Sequence, residues 1–158
     1  MKKALLPLLL ILFLAACSGA KVVSDGPSSG PETEGVVPKD KRAQVMRLFM
    51  DATTARLQGD PGKAVQLYRS VLKLDPSNGA SMFELAKLYH QGQQGDEALA
   101  YAKKAVAADR SNIWYRFMVA ELSSQLGDLP GAAKAYQGIL DQWPDRYEVY
   151  FGLAEVLS

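Results

Sequence analysis

The chain has 158 residues, with 18 lysines and arginines against 17 aspartates and glutamates, so its formal net charge is +1. These charges are scattered along the sequence, and no segment resembles the basic surface by which proteins bind DNA or RNA. Cys17 is the single cysteine, which excludes an intramolecular disulfide. We therefore expect neither a nucleic-acid partner nor a disulfide framework.

Residues 1–16 have the pattern of a secretory signal peptide. Two lysines precede an apolar run, 4–14, of about 11 residues, whereas a transmembrane helix needs about 20. The run ends in Leu-Ala-Ala-Cys, which resembles the lipobox of bacterial lipoproteins. That resemblance implies cleavage before Cys17 and attachment of acyl chains such as palmitate to its new N-terminus. The alternative is an ordinary signal peptide that is cut near residue 16 or 20 and leaves Cys17 unmodified.

The residue after the cysteine bears on localisation. In sorting similar to that of enterobacteria, Asp at this position retains a lipoprotein in the inner membrane, whereas Ser allows transfer to the outer membrane. Ser18 occupies the position in this chain. We therefore expect a lipid-anchored protein of the bacterial cell envelope, in the outer membrane and facing the periplasm.

Residues 17–40 are predicted to form the lipidated cysteine and a flexible linker. The segment 18–40 is rich in Gly, Pro and Ser and has no helical or strand period. A coil of this length spans roughly 25 Å, and its fully extended limit is roughly 80 Å. The folded domain is then expected to occupy 41–158.

From Val45 onward, the same residue types recur every 34 residues. The recurring residues are Phe49, Phe83, Phe117 and Phe151; Ala52, Ala86, Ala120 and Ala154; and Ala64, Ala98 and Ala132. A fixed period of this length indicates stacked helix-turn-helix units. Three units fit, at 45–78, 79–112 and 113–146, and a partial fourth covers 147–158. The predicted helices are 41–58, 61–74, 79–92, 95–108, 112–126, 130–142 and 146–157.

Two local features support this pattern. Alanines at equivalent helix positions allow the two helices of a unit to approach closely, so we expect the first and second alanine of each unit to meet at a helix crossing. Asp60 followed by Pro61 is the sequence of an N-cap and a first helical residue. Since one unit cannot bury its own apolar face, stacking of the units supplies the core.

The units resemble the tetratricopeptide repeat (TPR) family. The matching residues are Leu48, Ala52, Ala64, Tyr68, Val71 and Pro76 in the first unit; Met82, Leu85, Ala86, Tyr89, Ala98 and Ala105 in the second; Ala120, Ala132, Tyr136, Ile139 and Pro144 in the third; and Tyr150, Leu153 and Ala154 in the fourth. The resemblance implies an all-α, TPR-type α-solenoid of three full repeats and the first helix of a fourth. Asp51, Arg110 and Arg116 depart from the family pattern, and Asp51 predicts loose packing on the outer side of the first repeat.

In the TPR family the first helix of each repeat lines a concave groove, which implies a partner-binding surface here. The implied residues, which we call the groove surface, are Phe49, Thr53, Arg56, Phe83, Lys87, His90, Trp114, Phe117, Glu121 and Ser124. The repeated phenylalanines either present rings to a bound peptide or pack between neighbouring repeats, and both roles can coexist. TPR domains that capture C-terminal carboxylates use Lys and Asn where this chain has Phe49 and Thr53, so that mode is disfavoured.

No feature of the sequence predicts catalysis. There is no nucleophile elbow, zinc-protease motif or phosphate loop, and His90 is the only histidine, so three or four metal ligands are not available. Glu84, Asp96, Glu97 and Glu121 are expected on solvated helix faces. We therefore predict a protein without enzymatic activity, metal or other cofactor.

The last predicted helix has few polar positions, although a terminal helix in a repeat array normally presents a polar outer face. Either further repeat sequence follows it, or a partner or second copy covers it. The sequence thus predicts a membrane-anchored scaffold or adaptor that binds a protein or peptide and acts in assembly of outer-membrane, pilus, secretion or cell-wall machinery. The alternatives are the N-terminal adaptor of a longer envelope enzyme and a structural protein that self-associates through 147–158.

Overall fold

The structure is a computed structural model and describes residues 39–158. Within this range it consists of helices without any strand: α1 (Lys39–Leu57), α2 (Pro61–Leu74), α3 (Gly79–Gln91), α4 (Gly95–Ala108), α5 (Ile113–Gln125), α6 (Leu129–Leu140) and α7 (Tyr147–Leu157). The predicted all-α solenoid is confirmed, and every helix end lies within two residues of its predicted place. The signal peptide, Cys17 and the linker before Lys39 lie outside the described residues.

Side-chain caps fix where several helices begin. The Asp60 carboxylate accepts a hydrogen bond from the Lys63 amide at 2.9 Å, and Pro61 is the first residue of α2. The Asp128 carboxylate accepts a bond from the Gly131 amide at 3.0 Å in the same way at α6. Each cap satisfies an amide that has no partner within its helix. The N-cap predicted at Asp60 is confirmed.

The turn between the two helices of each full repeat uses a left-handed backbone residue. Gly59 and Gly127 have φ angles of 79° and 78°, and Gln93 has a φ of 59° at the equivalent place in the second repeat. The amide of the following residue then donates back into the helix, as Asp60 does to the Ala55 carbonyl at 2.9 Å. The second repeat therefore forms the same turn without the glycine that favours it.

Alanines at equivalent positions of the paired helices are completely buried. Extensive contacts join helices that are consecutive in the chain, from α1 with α2 through to α6 with α7. The predicted crossing residues are completely buried: Ala52 and Ala64, Ala86 and Ala98, and Ala120 and Ala132. Larger side chains, including Tyr68, Leu85, Leu122 and Ile139, fill the spaces between the pairs. Burying each of these larger apolar side chains is worth about 1.5–3 kcal/mol.

The outermost helices carry exposed apolar side chains. Met46 and Met50 of α1 are exposed, and so are Tyr147, Phe151 and Leu157 of α7. The apolar outer face predicted for the last helix is confirmed, whereas the loose outer packing of the first repeat stays a prediction. None of the helices within 39–158 combines the length and apolar character needed to cross a bilayer.

Candidate functional site

All ten residues of the groove surface lie on the first helices of the repeats, α1, α3 and α5, and none of them is fully buried. The repeat period explains this arrangement, since positions that recur every 34 residues take the same orientation in each hairpin. The ten side chains nevertheless have different surroundings. Eight of them form a part on α1, a charged cluster between α1 and α3, and an aromatic part between α3 and α5, and His90 and Ser124 lie apart from these.

On α1, the groove surface is tied to its own repeat. The Phe49 ring meets the Tyr68 ring edge-on, with centroids 5.3 Å apart. Thr53 Oγ1 lies 3.0 Å from Tyr68 Oη and donates to the Phe49 carbonyl at 2.9 Å. These contacts hold Phe49 and Thr53 against α2, so this end of the groove offers few free polar groups to a ligand.

A cluster of three charges joins α1 to α3. Arg56 Nε lies 3.3 Å from one oxygen of Glu84, and Lys87 Nζ donates to the other oxygen at 2.9 Å. The Glu84 side chain is only 17% exposed, so the prediction that it lies on a solvated face is wrong. The cause is the packing of consecutive repeats, which brings Arg56 from the neighbouring helix onto Glu84. Each of the three side chains remains partly exposed, but Arg56 Nε and the Glu84 oxygen that it faces are buried and form no hydrogen bond with each other. Each pair is therefore worth about 1 kcal/mol or less.

Between α3 and α5, aromatic rings surround a cavity of about 550 Å³. We call it the aromatic pocket, and its lining residues are Phe83, Trp114, Phe117, Met118, Glu121, Tyr136 and Glu148. The Trp114 and Phe117 centroids are 6.1 Å apart, and Phe83 packs on Tyr115 at 5.0 Å. Trp114 is 65% exposed although it is the largest side chain of the groove surface. The structure thus brings four of the predicted residues, Phe83, Trp114, Phe117 and Glu121, to one cavity.

Three of the four repeated phenylalanines pack against the core and still keep part of their surface exposed. Phe49, Phe83 and Phe117 each pack against a buried cluster and remain partly exposed. Phe151, the equivalent residue of the partial repeat, is 77% exposed. Each of the first three rings therefore contributes to the core on one side and to the groove on the other.

Tyr136 is the pocket residue that sequence reasoning missed most clearly. Its side chain is only 8% exposed, and its ring lies so close to Gly152 that a Cβ atom there would be 2.6 Å from Tyr136 Cζ. Burial, followed by the nearby charges of Glu121 and Glu155, raises the pKa of Tyr136 above its usual value. The phenol is therefore neutral at physiological pH. Among the described residues, its hydroxyl has no hydrogen-bond partner, in contrast to Tyr68 in the first repeat.

A second cavity of about 510 Å³ continues the groove toward α3. It shares Phe83, Trp114 and Met118 with the aromatic pocket and adds Lys87, whose ammonium lies 5.5 Å from the centroid of the Phe83 ring. The two hollows together form an elongated surface across the boundary between the second and third repeats. Such a shape suits an extended or helical chain segment better than a compact metabolite.

The remaining residues of the groove surface are set apart from this hollow. His90 is exposed in the last turn of α3, and Ser124 is half-buried on α5, where neither side chain lines either cavity. Within residues 39–158, no three His, Cys, Asp or Glu side chains are grouped closely enough to hold a metal ion. The chemistry that the groove offers is burial of apolar groups on rings and pairing with charged groups.

Comparison with known proteins agrees with this architecture. Two family models, both described as tetratricopeptide repeat, match residues 55–122 and 120–157. The chain belongs to the tetratricopeptide repeat family. A comparison with curated protein sequences finds no significant match.

Several solved TPR structures are similar to this chain. The second TPR domain of human RPAP3, in complex with the HSP70 peptide SGPTIEEVD, has a TM-score of 0.66 and 18% identity, and the match covers 75% of this chain and 98% of that chain. The Yersinia enterocolitica type III secretion chaperone SycD, in complex with a peptide of the translocator YopD, has a TM-score of 0.65 and 17% identity, with 72% and 92% covered. The first TPR of Spaghetti (RPAP3), bound to the HSP90 peptide SRMEEVD, has a TM-score of 0.63 and 22% identity, with 72% and 93% covered. At these identities the similarity shows a shared TPR fold.

Proposed function

We propose that this protein is an interaction adaptor that binds a segment of a partner polypeptide along the groove surface. The observation that carries the proposal is the aromatic pocket, where rings from α3 and α5 surround a cavity of about 550 Å³ and Trp114 remains 65% exposed. Rings in a concave surface bury the apolar side chains of a bound segment at low entropic cost. Similar TPR structures hold peptides, among them RPAP3 and SycD.

The mode of binding differs from capture of a C-terminal carboxylate. The residues that would take that role, Phe49 and Thr53, carry no positive charge and are engaged with Tyr68. The single carboxylate of Glu84 also holds both nearby cations, Arg56 and Lys87. The proposed ligand is therefore an internal segment with apolar side chains rather than an acidic chain end.

The adaptor is further proposed to be anchored to a membrane through acyl chains on Cys17, in the outer membrane of a bacterial envelope and facing the periplasm. The support is the Leu-Ala-Ala-Cys sequence at the end of the apolar run. Several acyl chains anchor a protein stably, whereas one binds only marginally. Confinement to a surface raises the local concentration for membrane-bound partners, which suits assembly of outer-membrane, pilus, secretion or cell-wall machinery.

A crosslinking pull-down from intact envelopes tests both parts of the proposal. The bait is the tagged full-length protein, compared with Cys17→Ala, Phe83→Ala and Phe117→Ala. We expect one defined partner complex that is lost without the lipid site and weakened by each ring substitution. The matched control is Tyr101→Ala, which removes a half-buried ring on α4, outside the groove surface.

The thermal stability of each variant separates binding from folding. Removing a half-buried ring is expected to cost about 1–2 kcal/mol, less than the roughly 3–5 kcal/mol of a fully buried one. Phe83→Ala and Phe117→Ala should therefore recover less of the partner than Tyr101→Ala does, although the three variants have similar thermal stability. If capture falls in step with stability in all three variants, the rings belong to the core and the groove proposal fails.

A second candidate function is self-association through α7, which the exposure of Tyr147, Phe151 and Leu157 favours. A second copy of the chain that packed on α7 would bury this apolar surface. Sedimentation over a range of concentrations distinguishes the two candidates. Concentration-dependent association that Phe151→Ser abolishes, with no other protein recovered from envelopes, would favour self-association over the adaptor.

A further inference from the structure

The aromatic pocket contains acidic side chains and no basic one. Two of its seven lining residues, Glu121 and Glu148, are carboxylates and none of the seven is basic. Arg146 is the nearest compensating group, at 3.4 Å from Glu148, but both side chains are about half exposed, so the pair is weak. At the other end of the groove, Lys87 is already held by Glu84. The pocket therefore has unbalanced negative charge beside its rings.

The rings of the pocket are suited to a cation. A ring face attracts an ammonium or guanidinium within about 6 Å of its centroid, and tryptophan does so most strongly. The groove already contains one such contact, since Lys87 Nζ lies 5.5 Å from the centroid of Phe83. Trp114 and Phe117 offer further rings in the same pocket as Glu121 and Glu148.

Tyr136 supplies an independent polar group. It is more than nine-tenths buried, it lines the pocket, and its hydroxyl is unpartnered among the described residues. The equivalent tyrosine of the first repeat, Tyr68, bonds to Thr53, but Glu121 occupies the equivalent place here. The hydroxyl oxygen itself keeps contact with solvent at the pocket wall, so it is free to hydrogen-bond with a ligand there. Because Glu121 stands where the first repeat has Thr53, the Glu121 carboxylate and the Tyr136 hydroxyl both line this cavity and can both accept a hydrogen bond.

We propose that the aromatic pocket binds a lysine or arginine side chain of the partner polypeptide, with the cation against the rings of Trp114 and Phe117 and paired with Glu121 and Glu148. This inference rests on the proposed function and specifies its ligand. The apolar stem of the side chain lies along the rings, as such stems do when their charged ends reach a polar group. An acidic segment is repelled by the same two carboxylates.

The test uses fluorescence of Trp114 in the full-length chain, purified in a non-ionic detergent and carrying Trp143→Phe. That substitution leaves Trp114 as the only tryptophan of the chain's two. The probes are three blocked heptapeptides of alternating alanine and leucine in which two positions hold lysine, glutamine or glutamate. We expect the lysine peptide to bind about five- to tenfold more tightly than the glutamine peptide at low salt, from one cation–ring contact and two exposed charge pairs, and the glutamate peptide to bind least.

Removal of the carboxylates provides the decisive comparison. Glu121→Gln combined with Glu148→Gln should reduce the preference for lysine to what the cation–ring contact alone supplies, whereas Glu97→Gln, which removes an exposed carboxylate on α4, should leave it unchanged. Raising the salt concentration should also reduce the preference. Equal binding of the lysine and glutamine peptides, or a preference that the double substitution leaves unchanged, would overturn the inference.

The outcomes separate this inference from the function on which it rests. If none of the peptides changes Trp114 fluorescence, but the full-length protein still captures a partner through Phe83 and Phe117, the cation site is wrong and the adaptor stands. If capture is also independent of those rings, the adaptor proposal fails as well.

Discussion

Replacing Gln93 by glycine should stabilise the protein. Gln93 has a φ of 59°, the left-handed conformation that Gly59 and Gly127 adopt in the equivalent turns. For a residue with a side chain this conformation costs roughly 1–2 kcal/mol, while a glycine loses roughly 0.4–1 kcal/mol more backbone entropy on folding. The difference predicts a gain of about 0.5–1 kcal/mol for Gln93→Gly.

The reverse substitution is a matched control at the same turn. A Cβ added at Gly127 would have no atom within 4 Å, so the cost of Gly127→Ala is conformational and not steric. We expect Gly127→Ala to lower stability by about the amount that Gln93→Gly raises it.

Thermal unfolding followed by circular dichroism measures both changes. A gain of about 0.5–1 kcal/mol corresponds to an increase in Tm of about 2–5 °C for a domain of this size. An unchanged or lower Tm for Gln93→Gly, together with a harmless Gly127→Ala, would show that the left-handed residue carries no strain and would refute the reasoning.

Two further predictions concern packing and pH. Ala98 is completely buried where α3 and α4 cross, so Ala98→Leu should destabilise the protein by about 1–3 kcal/mol in denaturant unfolding; a smaller loss than that of an exposed Ala100→Leu control would contradict close packing there. Partial burial alone would raise the pKa of Asp75, but hydrogen bonds from Asn78 and Ser77 together lower it below its usual value. A lowered folded-state pKa stabilises the protein above the unfolded value of about 3.9, and this contribution is lost as the pH falls through the folded-state pKa. Asp75→Asn should therefore show a smaller loss of Tm below about pH 4 than the unsubstituted chain, and identical losses would count against the hydrogen-bonded turn.

The repeat period was sufficient to predict the fold because residues 34 positions apart have the same structural role, such as helix packing or capping, in every unit. Ala86 is buried for the same reason as Ala52, and Asp60 caps a helix as Asp128 does. Gln93 shows that the turn persists even where its favoured residue is missing, since the Gln94 amide still donates to the Tyr89 carbonyl at 2.9 Å. Local signals and packing therefore agreed over most of the chain.

The candidate site was less predictable because its character comes from contacts between repeats. The contact between Glu84 and Lys87 could be predicted from their spacing within α3. The pairing of Glu84 with Arg56 could not, because it depends on how α1 lies beside α3. Tyr136 matches a core position of the family and gave no sign that its hydroxyl lines a cavity. Glu148 could have been found, because it is the equivalent of Trp114 one repeat later.

Extensive contacts join only consecutive helices. This implies that the rings of the aromatic pocket and its Glu148 carboxylate differ in how readily local unfolding displaces them. In such an array, local opening begins at the ends and spreads inward, so amide protons of α1 and α7 exchange before those of α3 and α4. The rings of Phe83, Trp114 and Phe117 belong to interior helices and keep their arrangement while the last helix frays. Glu148 is on α7, so it moves away from the pocket when α7 frays. Fraying therefore removes part of the pocket's negative charge and leaves its apolar surface in place. The charge of the groove thus depends on how stably α7 is packed.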